Sequence, residues 1–349
     1  MNRESRVWPV PILALLVISS CQGIVGGCQR LPESVGPNQE ILVLVDPADW
    51  EVLETPLRET FEKVLLTPQE EKIFRLQLGK LEDFETQKHK LRKNLLVAAP
   101  LGAAHPTSEF LGTLLSQDVQ EAVHTGDAAV FWKEDVWARE QILLFVTGAT
   151  PLDLVESIRT EADRLYSAVE RLRNERVDRL VYHYGERKDL TAQLAYSYGW
   201  QVRVSFGYEL QDASADSGFV LLSKEDPSRW LFVYWEDGVH PDQLSGDWSI
   251  RKRDSITRRF FEGDRIVSGS VETTQTDFAG KLAFSLNGLW ENEMSWKGGP
   301  FRSYAFVDVD LDRLFFVDVG VFSPNRRKEP YLRQVDLMAR TFRLRKVRN

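Results

Sequence analysis

Two short runs of almost unbroken apolar residues constrain the first half of this chain more than any other feature. Glu40–Val45 (EILVLV) has the character of a strand buried on both faces, and Asn94–Ala99 (NLLVAA) is a second buried strand closed by Pro100. Strands with no solvated face need other elements packed over them, and the intervening sequence supplies amphipathic helices. Trp50–Leu66 is one, ended upstream by the Asp46-Pro47 break, and Ser108–His124 is another, with Phe110, Leu111, Leu114, Leu115 and Val119 on one side. Ala128–Trp132 and Gln141–Thr147 read as further strands on either side of the polar Lys133-Glu134-Asp135 turn. Thr150-Pro151-Leu152-Asp153 has the form of a helix start, with a Thr cap, Pro at the first position and an acid at the third. Leu154, Ile158, Ala162, Leu165, Val169 and Leu172 then mark one helical face, with a solvated face of Glu, Asp and Arg opposite. A second helix runs to Tyr198 and is ended by Gly199.

Beyond Gly199 the texture changes. Gln201–Leu210, Gly218–Leu222, Trp230–Trp235, Val267–Thr274, Lys281–Gly288, Phe301–Val309 and Leu314–Val321 read as strands of an antiparallel sheet, with helices at Gln243–Phe261 and Tyr331–Arg343. The fold class is therefore α+β: an N-terminal α/β domain over residues 39–199, then a C-terminal antiparallel domain with packed helices over residues 200–349. The strand–helix order of the second half resembles the Mog1/PsbP-like fold, an analogy of fold only.

The extreme N-terminus carries a separate instruction. Arg3 and Arg6 form a positive head, Val7–Ile18 is uncharged with its apolar core at Ile12–Ile18, and Ile18-Ser19-Ser20 leads into Cys21. That order is a secretory signal peptide of the lipoprotein kind over residues 1–20, in which the cysteine thiol accepts lipid. Cys21 is preferred for its position three residues past the apolar core. Cys28, after Val25-Gly26-Gly27, is the alternative, since cleavage there leaves no orphan thiol. The stretch is also about long enough for an uncleaved membrane helix, but Pro9, Pro11, Gln22 and its glycines make it a poor one. Residues 21–38 suit a flexible tether. The expected location is the cell envelope, with the chain held to a bacterial outer membrane through N-terminal acyl chains.

Hydrophobic content of 43% and aromatic content of 11% belong to a globular body. No cysteine follows Cys28, which rules out disulfides and cysteine metal sites in that body. A net charge of −8 argues against wholesale nucleic-acid binding. From Arg326 onward, however, nine Lys and Arg face only Glu329 and Asp336. That run reads first as a solvated helix face with a frayed end, and second as a contact for anionic lipid or glycan.

Chemistry-bearing patterns are sparse. His89, His105, His124, His183 and His240 are too far apart for local metal-ligand spacing. Asp308, Asp310 and Asp312 alternate like a calcium loop, but Arg313 and Val319 stand where glycine and glutamate belong, so a hairpin turn is the better reading. Trp230, Trp235, Trp248, Trp290 and Trp296 either pack in a core or stack on sugar rings. Gly298-Gly299-Pro300 reads as a turn with positive φ, or as a close backbone approach to a partner. Arg251-Lys252-Arg253-Asp254, with Arg258 and Arg259 beyond, reads as a helix face whose cations pair with surface acids such as Glu291 and Glu293, or bind an anion. No catalytic residue, metal or cofactor is expected. The candidate binding residues are Arg253, Asp254, Trp290, Gly298, Gly299 and Pro300.

The segment Leu289-Trp290-Glu291-Asn292-Glu293, continuing through Lys297-Gly298-Gly299-Pro300-Phe301 to Ser303-Tyr304, resembles the signature of the bacterial lipoprotein family catalogued as domain of unknown function 4837 (DUF4837). Gly36-Pro37-Asn38, Asp135-Val136-Trp137-Ala138, Lys252-Arg253-Asp254-Ser255 and Tyr331-Leu332-Arg333-Gln334 fit the same pattern in the same order, which extends the likeness over nearly all the chain after the tether. Phe206-Gly207-Tyr208 departs from it where a proline-lysine pair is expected before the Gly-Tyr. The resemblance implies a lipoprotein and a fold pattern but no chemistry. The expected function is a non-catalytic, lipid-anchored binding or assembly protein with an envelope protein or glycan as partner. The alternative is an envelope hydrolase acting on glycan or peptide, for which Asp254, Glu291 and Glu293 would have to converge in a cleft.

Overall fold

The computed structural model describes residues 30–84 and 89–345, so the signal peptide, Cys21, Cys28 and the first half of the tether lie outside the described residues. The architecture is α+β, in two compact units: Met1–Lys63 with Phe74–Arg173, and Val64–Ile73 with Asn174–Asn349. Order begins earlier than the tether reading implies, because Glu33 and Val35 form β-bridges with Arg139 and Arg92.

The first unit opens with β1 (Glu40–Leu44) and α1 (Pro47–Phe61). After β2 (Val64–Leu65) and β3 (Glu71–Lys72), a short hairpin that belongs to the second unit, come β4 (Arg75–Gly79) and β5 (Asn94–Pro100). Next are α2 (Pro106–Leu114), α3 (Gln117–His124), β6 (Val130–Glu134), β7 (Ile142–Gly148) and α4 (Pro151–Thr160), followed by α5 (Ala162–Val181). The sheet order is β4-β1-β5-β7-β6, parallel except for the β6–β7 hairpin. Leu42, Leu44, Leu95, Val97, Leu143 and Phe145 meet Leu111, Val119 and Val123 of α2 and α3 on one face. On the other, α4 packs on β5, β7 and α1.

Two long helices expected from periodicity are each split. Ser116 stands at the cap of α3, and Gln120 Nε2 donates to the carbonyls of Gly112 and Leu115, satisfying the free end of α2. The helix start at Thr150 is a reciprocal capping box with Asp153, but the run breaks once, at Glu161, before α5. The charged face of α5 is not uniformly solvated. Arg173 is buried, its guanidinium 5.1 Å from the Phe74 ring, and Arg176 is buried too.

The second unit adds α6 (Lys188–Tyr198), β8 (Trp200–Gln201), β9 (Glu209–Ser214), β10 (Phe219–Lys224) and β11 (Ser228–Asp237). Then come α7 (Gly246–Phe260), β12 (Arg265–Ile266), β13 (Glu272–Phe278), β14 (Lys281–Asn292), β15 (Lys297–Asp308), β16 (Arg313–Phe322), α8 (Glu329–Ala339) and β17 (Arg343–Leu344). An antiparallel sheet runs β12-β14-β15-β16-β11-β10-β9, with β13 also on β14. Its central strands β11, β15 and β16 are buried on both faces, whereas β9 and β13 are largely exposed. Leu231, Val233, Val317 and Val319 meet α6 and α8, whereas Trp230, Phe232, Phe301 and Phe316 meet α7.

The compact units do not part where the composition changes, at Gly199–Trp200. Leu190 and Leu194 of α6 share one core with Trp200 and Phe342, which joins that helix to the sheet that follows it. Gly199 ends α6 in the left-handed conformation that glycine takes most cheaply. The 206–208 loop, where the family pattern is broken, is tied down: Tyr208 is buried, Gly207 has φ +83°, and Lys224 Nζ donates to the Phe206 carbonyl at 2.9 Å.

Candidate functional site

The residues singled out from sequence do come together, beneath α7. Ser245 caps this helix, accepting from the Trp248 amide, and sets its rotation so that Ser249, Arg253, Ile256 and Thr257 face the sheet. Trp248 packs partly buried against the same core. Arg253, 1% exposed, lays its guanidinium over the Phe301 ring at 3.4 Å. Its Nε donates to Asp318 Oδ2 at 2.7 Å and Ser303 Oγ at 3.2 Å, and Ser303 Oγ donates in turn to Asp318. Ser303 and Asp318 face each other in the β15–β16 ladder. Burial pushes the Asp318 carboxyl up, against the lowering effect of Arg253. Trp290 is buried edge-to-face on Trp230, with ring centroids 5.1 Å apart. Arg253 and Trp290 are thus packed into a core.

Gly298-Gly299-Pro300 is not a turn. It begins β15, pairing with Glu291, Trp290 and Leu289, and neither glycine has a positive φ. A Cβ on Gly299 would overlap the Val321 carbonyl oxygen, so the segment is small because two strands approach closely there. Pro300 stands one residue before the β16 ladder starts at Phe301. The turn lies just upstream, where Trp296 takes φ +55°. At this turn Met294 is 90% and Trp296 92% exposed. Its base is rigid. Asn292 Oδ1 accepts from the Ser295 amide while its Nδ2 donates to Asp264 Oδ1, and Arg265 clamps Glu291 and Glu293.

The carboxylates named for hydrolysis are each engaged by other groups. Asp254 accepts from the Ile266 amide at 2.9 Å and pairs with Arg258, fastening β12 to α7. Glu291 and Glu293 lie on the surface, paired with Arg265 rather than with α7. Asp308 Oδ1 accepts from the Asp310 and Leu311 amides and so builds the β15–β16 turn. Distance in sequence hid one further set. His105, capping α2, places Nε2 3.2 Å from Asp49 Oδ2 on α1, and its Nδ1 accepts from the Ser108 amide. Burial raises the Asp49 carboxyl, with His105 opposing. The set links α1 to α2.

Residues 187–341 match the family described as Domain of unknown function (DUF4837), and residues 34–182 match a separate one, Domain of unknown function (DUF8532). The resemblance seen in the Leu289–Tyr304 signature is thereby placed in the second half. Gly36-Pro37-Asn38 and Asp135–Ala138 fall in the other match. No curated protein matches the chain. Among solved structures, the Saccharomyces cerevisiae Ran-binding protein Mog1p is similar at 10% identity over 43% of this chain and 92% of its own, with a TM-score of 0.31. LpqN, involved in cell envelope biogenesis of Mycobacterium tuberculosis, is similar at 8% identity over 42% of this chain and 83% of its own, TM-score 0.29. A Bacteroides thetaiotaomicron protein is similar at 9% identity over 42% of this chain but only 46% of its own, TM-score 0.28. No helix among the described residues is long and apolar enough to cross a membrane.

Proposed function

We propose that this protein is a lipid-anchored envelope protein that works by binding another envelope protein, with the β14–β15 turn as its contact. The reading rests on one observation: Met294 and Trp296 are presented to solvent on a turn whose base is fixed by Asn292 and Arg265. Large apolar side chains held out this way lower solubility and contribute nothing to the core, so their use lies in a contact. Methionine adapts its shape to a protein pocket, and tryptophan is a common anchor of such interfaces. A sugar-binding face would instead want aromatic planes flanked by free hydrogen-bonding groups, and the neighbouring Glu291 and Glu293 are held by Arg265. For the hydrolase alternative, Asp254 is already engaged by the Ile266 amide and Arg258, which favours the binding reading.

The membrane half of the proposal is tested by mass spectrometry of the mature N-terminus. Cys21→Ser should abolish acylation. A Cys21→Ser variant that is still acylated would move the site to Cys28, and an unprocessed N-terminus in the wild type would end the lipoprotein reading.

A further inference from the structure

The C-terminal basic run does more than coat a helix. Two of its arginines, Arg340 and Arg343, line an open pocket of about 430 Å³ with Asp277, Phe278, Ala279 and Gly280. We propose that this pocket binds a phosphate-type oxyanion, with the two guanidinium groups as its ligands. The pocket lies between the β13–β14 turn and the end of α8. The turn needs two consecutive left-handed residues, Ala279 at φ +56° and Gly280 at φ +77°, and the Gly280 amide donates back to Asp277 Oδ1. Phe278 supplies an apolar floor, its ring stacked on Tyr304 at 4.2 Å.

Arg340 is held in place from behind. Its Nε donates to Asp336 Oδ2 at 3.0 Å, one helical turn earlier. Asp336 is itself fixed by Tyr304 Oη at 2.6 Å and Arg302 Nη1 at 2.7 Å. Arg343 is fixed through Nη1, which donates to the carbonyls of Arg340 and Phe342. Among the described residues, Nη1 and Nη2 of Arg340 and Nε and Nη2 of Arg343 have no protein acceptor. The Arg340 guanidinium also lies 5.2 Å from the Tyr304 ring centroid, and planar guanidinium groups pair with phosphate-type oxygens two at a time. Charge points the same way. Arg302, Arg340 and Arg343 outnumber Asp336 and Asp277, so the cluster carries one net positive charge that an anion would neutralise.

The oxyanion can come from a soluble phosphate or from a phospholipid headgroup, and the test separates the two. The full chain in an uncharged detergent is titrated calorimetrically with pyrophosphate and, separately, with short-chain phosphatidylglycerol. Saturable binding of either is expected, and the probe bound identifies the source. Arg343→Gln, which gives up only contacts to backbone carbonyls, should weaken binding about tenfold or more. Asp277→Asn, which keeps the acceptor for Gly280 but removes the negative charge, should tighten it several-fold. Lys346→Gln with Arg348→Gln should leave it unchanged. Failure of both probes to bind overturns the site, as does binding that ignores Arg343→Gln and Asp277→Asn, or binding that disappears in the Lys346→Gln, Arg348→Gln variant.

Discussion

Arg253 and Asp318 form a charge pair with almost no water around it, and such pairs are asymmetric in their energetics. The attraction is offset by the desolvation of both ions, and Arg253 Nη1 finds no acceptor among the described residues, which leaves the pair short of saturation. Breaking the pair from one side should therefore be severe, and replacing both partners mild. Arg253→Met is expected to destabilise by about 3–5 kcal/mol, while Arg253→Met with Asp318→Leu should recover most of that loss. Urea unfolding of the full chain measures both. Equal losses in the single and double variants would contradict this account of the pair. Sequence reasoning found Arg253 and Trp290 but misjudged them, for a common reason. Three consecutive basic residues and a tryptophan look like surface chemistry until the partner is known, and Asp318 lies 65 residues away. Gly299 was legible as a place of close approach, but the thing approaching is Val321 of the next strand.

At the scale of elements, α8 shows how long-range groups finish what local sequence leaves open. Its first amides are capped by Glu71 of the β2–β3 hairpin, which accepts from the amides of Lys328 and Glu329 at 2.8 and 3.0 Å. No local motif announces that cap. Asp336, in the same helix, is fully enclosed; burial pushes its carboxyl up, yet Arg302 and Arg340 outweigh burial and hold it below its ordinary 3.8. At low pH the unfolded chain therefore takes up this proton more readily than the folded one. The stabilisation is complete above 3.8 and is lost as pH falls through the lower folded value. Asp336→Asn should lower stability at neutral pH by about 3 kcal/mol and flatten that acid dependence. A steeper acid loss in the variant would contradict the sign. The β14–β15 turn behaves oppositely, because Met294 and Trp296 are almost fully exposed. Met294→Ser with Trp296→Ser should change stability by no more than about 0.5 kcal/mol in the same unfolding experiment. A larger loss would make the turn part of the core.

For the molecule as a whole, class and order of elements were legible because hydrophobic pattern sets them. The runs at residues 41–44 and 95–99 are buried strands, and the alternation after Gly199 becomes an antiparallel sheet. What pattern does not encode is which faces meet. The centre of the second unit's sheet is covered on both sides, so Trp230, Trp235 and Trp290 are buried, Trp248 half-buried and Trp296 exposed, and composition treats them alike. The functional account accordingly comes down to one exposed turn. The most direct measurement replaces Trp296 with a photo-crosslinking amino acid in the living cell, beside the same replacement at Leu282, which is also exposed but lies at the other end of β14. A discrete protein adduct from position 296 and none from 282 is the predicted result. No adduct from 296, or the same adducts from both positions, would contradict the proposal that this turn is where the protein binds its partner.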